Sequence, residues 1–156
     1  HLPSLQGLRL HYIDEGPSDA PLTWVLSHGN PTWSYLWRQV IPPLLEAGHR
    51  VLAPDLIGFG KSDKPKKTDW HTFEAHRQVL LEWLDELDLQ RVVLVVQDWG
   101  GPIGGWMAAH APERVTGLVL MNTSLLAPNR FKTTILEGTK DDLLWERRDG
   151  KVWVQS

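Results

Sequence analysis

The sequence predicts an α/β protein in which helices cover both faces of a mostly parallel sheet. Short β-branched apolar segments alternate along the chain with longer segments whose apolar residues recur at helical spacing. The clearest short segment, residues 92–96, runs straight into a glycine-containing turn and then a helical segment. This alternation is typical of βαβ units, so we expect the strands to be mainly parallel.

The predicted strands are short, apolar and rich in β-branched residues. An early pair of strands is expected around residues 8–13, and further strands at 24–27, 50–54, 92–96 and 118–121. The segment at 92–96 is continuous, β-branched and too short for a helix. The turn-rich residues 55–65, with Gly58, Gly60 and Pro65, are predicted to be a loop.

The predicted helices lie between these strands. One is expected over residues 35–47 and is ended by Gly48, a second over 72–87 and a third over 102–111. The second is amphipathic, because the spacing of its apolar residues places them on one face of a helix: Phe73, Val79, Leu80, Trp83, Leu84 and Leu87.

The pattern changes after Asn122. Residues 126–131 are loop-like, residues 135–145 are weakly amphipathic, and residues 148–151 fit a type I′ turn that leads into 152–154. A terminal hairpin and a frayed end are equally compatible with this pattern.

Composition restricts the class of protein. With 156 residues and 42% apolar content, the chain suits one domain. The net charge of −3 and a longest basic run at residues 64–67 give no indication of a nucleic-acid partner. The absence of cysteine excludes a thiolate nucleophile or ligand.

No apolar stretch approaches the roughly 18–20 residues of a membrane span, so we expect a soluble, cytoplasmic protein. The first residue is His1 rather than Met, which suggests a trimmed start, and a periplasmic location after removal of an export signal stays open.

Asp98 stands where a strand turns sharply into a helix. This layout is that of a nucleophile elbow, which lifts one side chain clear of the sheet. Gly100 and Gly101 suit the close packing of such a turn, and the helix N-terminus, with the N–H of Trp99, stabilises negative charge there. An Asp in this place is often only a helix cap, so further features are needed.

Three features favour a nucleophile. A carboxylate that displaces a leaving group from an sp3 carbon forms an ester that water can hydrolyse, whereas serine would form a stable ether. The indole N–H of Trp99 is a donor without an acceptor, which suits a departing anion. Asn30 follows the strand at 24–27, where its backbone N–H is placed to complete an oxyanion hole and its amide to donate to the leaving group.

Three motifs together resemble the haloalkane dehalogenases of the α/β-hydrolase superfamily. They are HGNPTWSYLWR at 28–38, APDLIGFGKSDKP at 53–65 and VVQDWGG at 95–101. The resemblance implies that Asp98 attacks a halogen-bearing carbon, that Trp99 and Asn30 hold the halide and form the oxyanion hole, and that water hydrolyses the ester. It implies no metal or organic cofactor; the partners are a small halogenated alkane, halide and water. Asp55, Gly58, Gly60 and Ser62 match a loop of the family and are interpreted as structural.

Related families remain as alternatives. Epoxide hydrolases, which the chain also resembles, usually carry His where Gln97 stands and a bulky apolar residue where Asn30 stands. Fluoroacetate dehalogenases carry Arg where Trp99 stands. Asn30 with Trp99 therefore favours chloro-, bromo- or iodoalkanes. A non-catalytic fragment that acts as a binding or assembly module is a further alternative.

The sequence departs from the family downstream of residue 122. In the family, the general base is a histidine on a loop after the last strand. None of the seven histidines here lies beyond the last recognisable strand, so this base is missing. They are His1, His11, His28, His49, His71, His76 and His110. Glu or Asp partners that would orient this base are missing too, and Asn122 stands where one subgroup has Glu.

The expected architecture is therefore an α/β-hydrolase-type sheet truncated before the cap and the last strands. Residues 1–125 form a partial core domain, and residues 126–156 form the start of a cap region or an irregular extension. We expect this chain by itself to be catalytically incomplete, and to be a fragment of a longer dehalogenase or to be complemented by another chain. An open sheet edge also predicts self-association.

Overall fold

A five-stranded sheet forms the centre of the molecule in a computed structural model, which describes residues 2–67, 70–123, 144–148 and 151–155. Its strands are β1 (Tyr12–Glu15), β2 (Thr23–Ser27), β3 (Arg50–Pro54), β4 (Val92–Gln97) and β5 (Val115–Met121). The strand order is β1-β3-β2-β4-β5, with β1 antiparallel to β3 and the other pairs parallel. The predicted α/β class is confirmed.

Three α-helices join the strands and cover both faces of the sheet. They are α1 (Ile41–Glu46), α2 (Phe73–Glu86) and α3 (Gly100–His110). Side chains alternate along each strand, so that neighbours point to opposite faces. Val25 and Leu94 therefore pack with residues of α2 and α3, whereas Leu26 and Val95 pack with Trp37 and Ile41.

These two apolar layers stabilise the fold. Val25, Leu26 and Leu94 are completely buried. Removing a side chain of this kind from water contributes about 1.5–3 kcal/mol to folding. Because β2 is parallel to both β3 and β4, the carboxyl ends of these three strands lie at the same edge of the sheet.

The amphipathic α2 has the predicted position and face. Thr72 precedes it in an extended conformation, and its side-chain oxygen accepts a 3.1 Å hydrogen bond from the N–H of Ala75. Such a cap satisfies one of the helix's free N–H groups. The buried face comprises His76, Val79, Leu80, Trp83 and Leu84.

The continuous helix predicted over residues 35–47 is wrong. A 3₁₀ turn at Ser34–Trp37 is followed by a separate α1 that begins at Ile41. Pro42 and Pro43 explain the break, since proline lacks an N–H and its ring overlaps the carbonyl four residues earlier. Both prolines are tolerated in the first turn of α1.

The early pair of strands predicted around residues 8–13 is also wrong. Only β1, from Tyr12, joins the sheet, and its partner is β3. The preceding residues bond to a loop instead: the N–H of His11 donates to Ser62 Oγ at 2.8 Å, and that of Arg9 to Asp63 Oδ2 at 2.9 Å. Side-chain acceptors thus satisfy the N–H groups that a strand would have paired.

The remaining strands follow the prediction with small differences. β5 begins at Val115, three residues before the predicted start. Near the C-terminus, β6 (Leu144–Arg148) pairs antiparallel with β7 (Lys151–Gln155), and Arg148 faces Lys151. Of the two alternatives for the C-terminus, a hairpin or a frayed end, the structure has the hairpin. The predictions for residues 126–131 and 135–143, and the type I′ turn predicted through residues 149 and 150, lie outside the described residues.

No helix among the described residues is both long enough and apolar enough to cross a membrane.

Candidate active site

The turn between β4 and α3 holds Asp98 in a left-handed backbone conformation, with φ at +52°. A residue with a side chain adopts this conformation at a cost of about 1–2 kcal/mol. Backbone bonds hold the turn: the N–H of Asp98 donates to the carbonyl of Asn122 at 3.3 Å, and the N–H of Gly101 donates to the carbonyl of Asp98 at 3.0 Å. The hydroxyl of Thr123 donates to the same Asp98 carbonyl. The geometry is therefore that of a sharp elbow.

Two glycines allow the chain to approach this elbow closely. A Cβ at Gly100 would overlap the carbonyl oxygen of Ser27, at the end of β2. A Cβ at Gly29 would overlap the side chain of Asp98 itself. The predicted need for glycine at position 100 has this steric reason, and Gly29 has the same role from the opposite side.

The parallel pairing of β2 and β4 brings Asn30 to Asp98. Ser27 is paired with Val96, so the residues that follow each strand emerge at the same edge of the sheet. The backbone N–H of Asn30 donates to Asp98 Oδ1 at 2.9 Å. The Asn30–Pro31 peptide bond is cis. One carboxylate oxygen of Asp98 is therefore held by a backbone donor.

His28 ties the loop after β2 to the loop after β3. Its Nε2 accepts a 2.9 Å hydrogen bond from the N–H of Leu56, so Nδ1 carries the hydrogen and donates to the carbonyl of Gly29 at 2.9 Å. The ring is completely buried, and this burial lowers the pKa of His28 although the bond to Gly29 opposes the shift. His28 is thus a neutral structural link.

Trp99 follows the elbow and is 46% exposed. Its ring stacks on Phe73, with ring centroids 4.7 Å apart and planes inclined by 24°. Trp99 and Asn30 both line a cavity of about 200 Å³, whose other walls are Leu56, Phe59, His71, His76 and Ile103. A mainly apolar cavity with a few polar groups is typical of a small-molecule site.

Several of these cavity residues were not predicted from the sequence. Leu56 and Phe59 follow the carboxyl end of β3, and that position is a signal from which they could have been found. No pattern in the sequence indicated that His71 and His76 would line this cavity, or that Phe73 would stack on Trp99, since these residues come from the start of α2 and the segment before it.

His76 is 6% exposed and is held in its neutral form. Burial is the largest cause that lowers the pKa of His76, from 6.5 to about 4. Trp70 lies edge-on to it, with ring centroids 5.4 Å apart. A group with this pKa has little affinity for a proton near neutral pH.

Asp55 has the structural role that was predicted for its loop. Its carboxylate accepts from the N–H of Ser34 at 2.7 Å and of Lys61 at 2.9 Å, and it bonds to His11 Nδ1 at 2.9 Å. Burial by itself would raise the pKa of Asp55, but these N–H donors and His11 lower it below its ordinary value. Ser62 closes the loop by donating to the carbonyl of Asp55.

Within the described part of the chain, no group of three or more His, Asp or Glu side chains is arranged to hold a metal ion.

An elbow after a parallel strand, beside a loop donor on the neighbouring strand, defines the class of protein. The chain belongs to the α/β-hydrolase fold family, whose family model matches residues 25–148. Within this family it is similar to haloalkane dehalogenases. It is 52% identical over 123 residues to one from Mycolicibacterium paratuberculosis. The aligned region covers 79% of this chain and 40% of the relative. It is 49% identical over 118 residues to one from Psychrobacter cryohalolentis, with 76% and 39% covered.

Solved structures of the same fold are also similar to this chain. The haloalkane dehalogenase DpaA from Paraglaciecola agarilytica, described as tetrameric, superimposes with a TM-score of 0.77 at 48% identity, covering 79% of this chain and 41% of that one. An esterase from Exiguobacterium antarcticum superimposes with a TM-score of 0.69 at 26% identity, covering 76% and 43%. The chain spans about two fifths of the length of these relatives. Because an esterase shares the fold, the fold by itself does not determine the reaction.

Proposed function

We propose that this chain carries the nucleophile-bearing part of a haloalkane dehalogenase-type hydrolase. The observation that supports it most is the bond from the Asn30 N–H to one oxygen of the Asp98 carboxylate, at an elbow that Trp99 adjoins. Among the described residues, the backbone donor to this carboxylate bonds to Oδ1, so Oδ2 is the oxygen proposed to attack. The two oxygens of one carboxylate thereby have different tasks.

In the first half-reaction, Oδ2 of Asp98 attacks the carbon that bears the halogen. The new C–O bond forms as the carbon–halogen bond breaks, and the halide leaves with the bonding electron pair. The indole N–H of Trp99 and the side-chain amide of Asn30 donate to the departing halide, whose charge is poorly solvated in an apolar cavity. Oδ1 becomes the carbonyl oxygen of an alkyl ester and keeps the Asn30 N–H as its donor.

In the second half-reaction, water adds to the ester carbon and negative charge collects on Oδ1. The Asn30 N–H, together with the helix N-terminus at Trp99, stabilises that charge. A general base must take a proton from the water, and the alcohol then leaves as the carboxylate is regenerated. His76 is unsuited to this task, because the pKa of His76 is about 4.

Catalytic incompleteness is therefore part of the proposal. The sequence has no histidine after His110, so a base located as in the resembling family is absent from these 156 residues. We expect the chain to form the ester and to hydrolyse it slowly, unless a complementing segment or chain supplies the base. The substrate proposed is a chloro-, bromo- or iodoalkane, and the products are halide and, after hydrolysis, an alcohol.

Intact-mass spectrometry after incubation with 1-bromobutane tests the proposal. The expected result is a mass gain of one butyl group, located on Asp98 by peptide mapping and absent from Asp98→Asn. Asp19→Asn, which changes an exposed carboxylate away from the elbow, is the matched control and should react like the original chain. No adduct on Asp98 would remove the proposed first step, and steady release of bromide would contradict the missing base.

A parallel incubation with an epoxide, such as styrene oxide, separates the related reaction class. An adduct on Asp98 from the epoxide but not from 1-bromobutane would favour an epoxide hydrolase-type enzyme. Absence of both adducts, together with unchanged partner binding in Asp98→Asn, would favour a binding or assembly module.

The proposal also includes the organisation of the chain. It divides into a core part, 1–125, and a second part, 126–156, and we expect it to be cytoplasmic and to self-associate or bind a complementing segment. β5 is an edge strand of the five-stranded sheet, and its Leu118 and Leu120 are only half-buried. Light scattering coupled to size exclusion should detect oligomers; a monomer at all concentrations would contradict the self-association.

A further inference from the structure

We propose that Phe73 and Arg77 are positioning residues that hold the indole of Trp99 in place for anion binding. The inference rests on the proposed function, because it gives Trp99 the halide as its ligand. It extends the site from the elbow to the first two turns of α2, which neither the motifs nor the fold family assigns to it.

Trp99 needs support from outside its own helix, α3. It is 46% exposed and lies at the N-terminal end of α3, so nearly half of its surface has no protein contact to hold it. A donor that must point at one ligand loses affinity if its ring occupies several rotamers. The ring of Phe73, 4.7 Å away and inclined by only 24°, provides a flat surface against the indole.

Phe73 is itself fixed. It is the first residue of α2, and the cap from Thr72 to the N–H of Ala75 sets the start of that helix. Arg77 lies one helical turn later, on the same face, with Cζ 5.5 Å from the centre of the Phe73 ring. A cation this close to an aromatic ring is attracted to it.

Arg77 connects α2 to the helix that carries Trp99. Its Nε and Nη2 both donate to the carbonyl of Pro102, at 3.3 and 3.2 Å. Its Cζ also lies 6.0 Å from the centre of the Trp106 ring, on α3. The forked guanidinium therefore sets the distance between the starts of α2 and α3, and with it the distance between Phe73 and Trp99.

Together these side chains form a row of planar groups that begins at the cavity and continues along α2 and α3. Trp99, Phe73, Arg77 and Trp106 follow one another, and Trp106 stacks on His110 with centroids 3.7 Å apart. Loss of one member releases its neighbours, so a change at Arg77 is expected to reach Trp99 without touching the cavity.

Fluorine NMR of the full chain labelled with 5-fluorotryptophan measures the position of Trp99 directly. The chain has nine tryptophans, and Trp99→Phe identifies the resonance of interest by its loss. Phe73→Leu should shift and broaden this resonance, Phe73→Tyr should restore it, and Arg77→Met should broaden it. An unchanged Trp99 resonance in both Phe73→Leu and Arg77→Met would overturn the inference.

Line broadening of the chloride-35 NMR signal measures how tightly the chain and its variants bind chloride. Phe73→Leu should weaken chloride binding by about 3- to 10-fold, the range that one aromatic pair can contribute, and Phe73→Tyr should recover it. Arg38→Met is the matched control for Arg77→Met, because Arg38 lies over Tyr35 at 4.6 Å and neither residue lines the cavity.

The two measurements separate the possible failures. If the original chain binds no chloride, the proposed halide site fails, while the fluorine resonance still decides whether Phe73 and Arg77 position the ring. If the original chain binds chloride and Phe73→Leu binds it equally well, the positioning role is wrong. Equal losses in Arg38→Met and Arg77→Met would show a general effect on stability and would also contradict it.

Discussion

The backbone N–H of Asn30 donates a 2.9 Å hydrogen bond to Oδ1 of Asp98, although the two residues are 68 positions apart in the chain. The bond joins the loop after β2 to the elbow after β4, and it distinguishes the two oxygens of the carboxylate. It depends on a parallel register between the two strands and on the small size of Gly29.

Gly29→Ala should disrupt this relationship. The added Cβ would overlap the Asp98 side chain, so the carboxylate must turn away from the Asn30 N–H. We expect alkylation of Asp98 by 1-bromobutane to slow by about tenfold or more, because a displacement of this kind spoils the attack geometry. Gly117→Ala is the control, since a Cβ there makes only ordinary contacts with Val93. Equal alkylation rates in the two variants would contradict the prediction.

Thr72→Ala should lower the free energy of unfolding by about 1 kcal/mol, because it removes the cap of α2. Urea denaturation followed by circular dichroism measures this change. Thr72→Ser keeps the hydroxyl that accepts from the Ala75 N–H and should lose less. A stability of Thr72→Ala equal to that of Thr72→Ser would show that the hydroxyl does not cap the helix in solution.

Asp55→Asn should destabilise the protein by about 2–3 kcal/mol at pH 7, since charged hydrogen bonds to buried donors are lost. The sign with pH follows from the lowered pKa of Asp55: its contribution is present above the ordinary carboxyl range and disappears as the pH falls through the lowered value. The difference between the original chain and Asp55→Asn should therefore shrink below about pH 4. Urea denaturation at several pH values checks this, and a constant difference would contradict it.

His76 should make the fold less stable in mild acid. The pKa of His76 is lowered from 6.5 to about 4, so the unfolded chain binds a proton more readily than the folded one. Above pH 6.5 His76 is neutral in both states and does not reduce the free energy of unfolding. As the pH falls from 6.5 toward 4, the free energy of unfolding decreases by up to about 3 kcal/mol. His76→Phe removes this titration, and its unfolding free energy should depend less on pH over that range. Parallel curves for the two proteins would rule out His76 as the source.

The sequence by itself predicted much of the fold, because periodicity is a local property. The segments that became β3, β4 and α2 carry continuous β-branched or helical patterns, and their positions were predicted closely. One failure had a local cause, and the other had a long-range cause. Two prolines broke the helix expected over 35–47. The pair of strands expected around 8–13 did not form, because the side chains of Ser62 and Asp63, 51 and 54 positions away, accept from the N–H groups of His11 and Arg9.

The site divides in the same way. The sequence marked Asp98, Trp99 and Asn30 as candidates because their residue types and positions after strands have chemical consequences. Which of them touch was decided by the tertiary structure: the pairing of Ser27 with Val96 brings Asn30 to Asp98, and the packing of α2 on α3 brings Phe73 to Trp99. Contacts between elements depend on register and helix packing, which no local pattern encodes. For that reason the elbow could be predicted from the sequence, whereas the ring that supports its tryptophan could be found only in the folded chain.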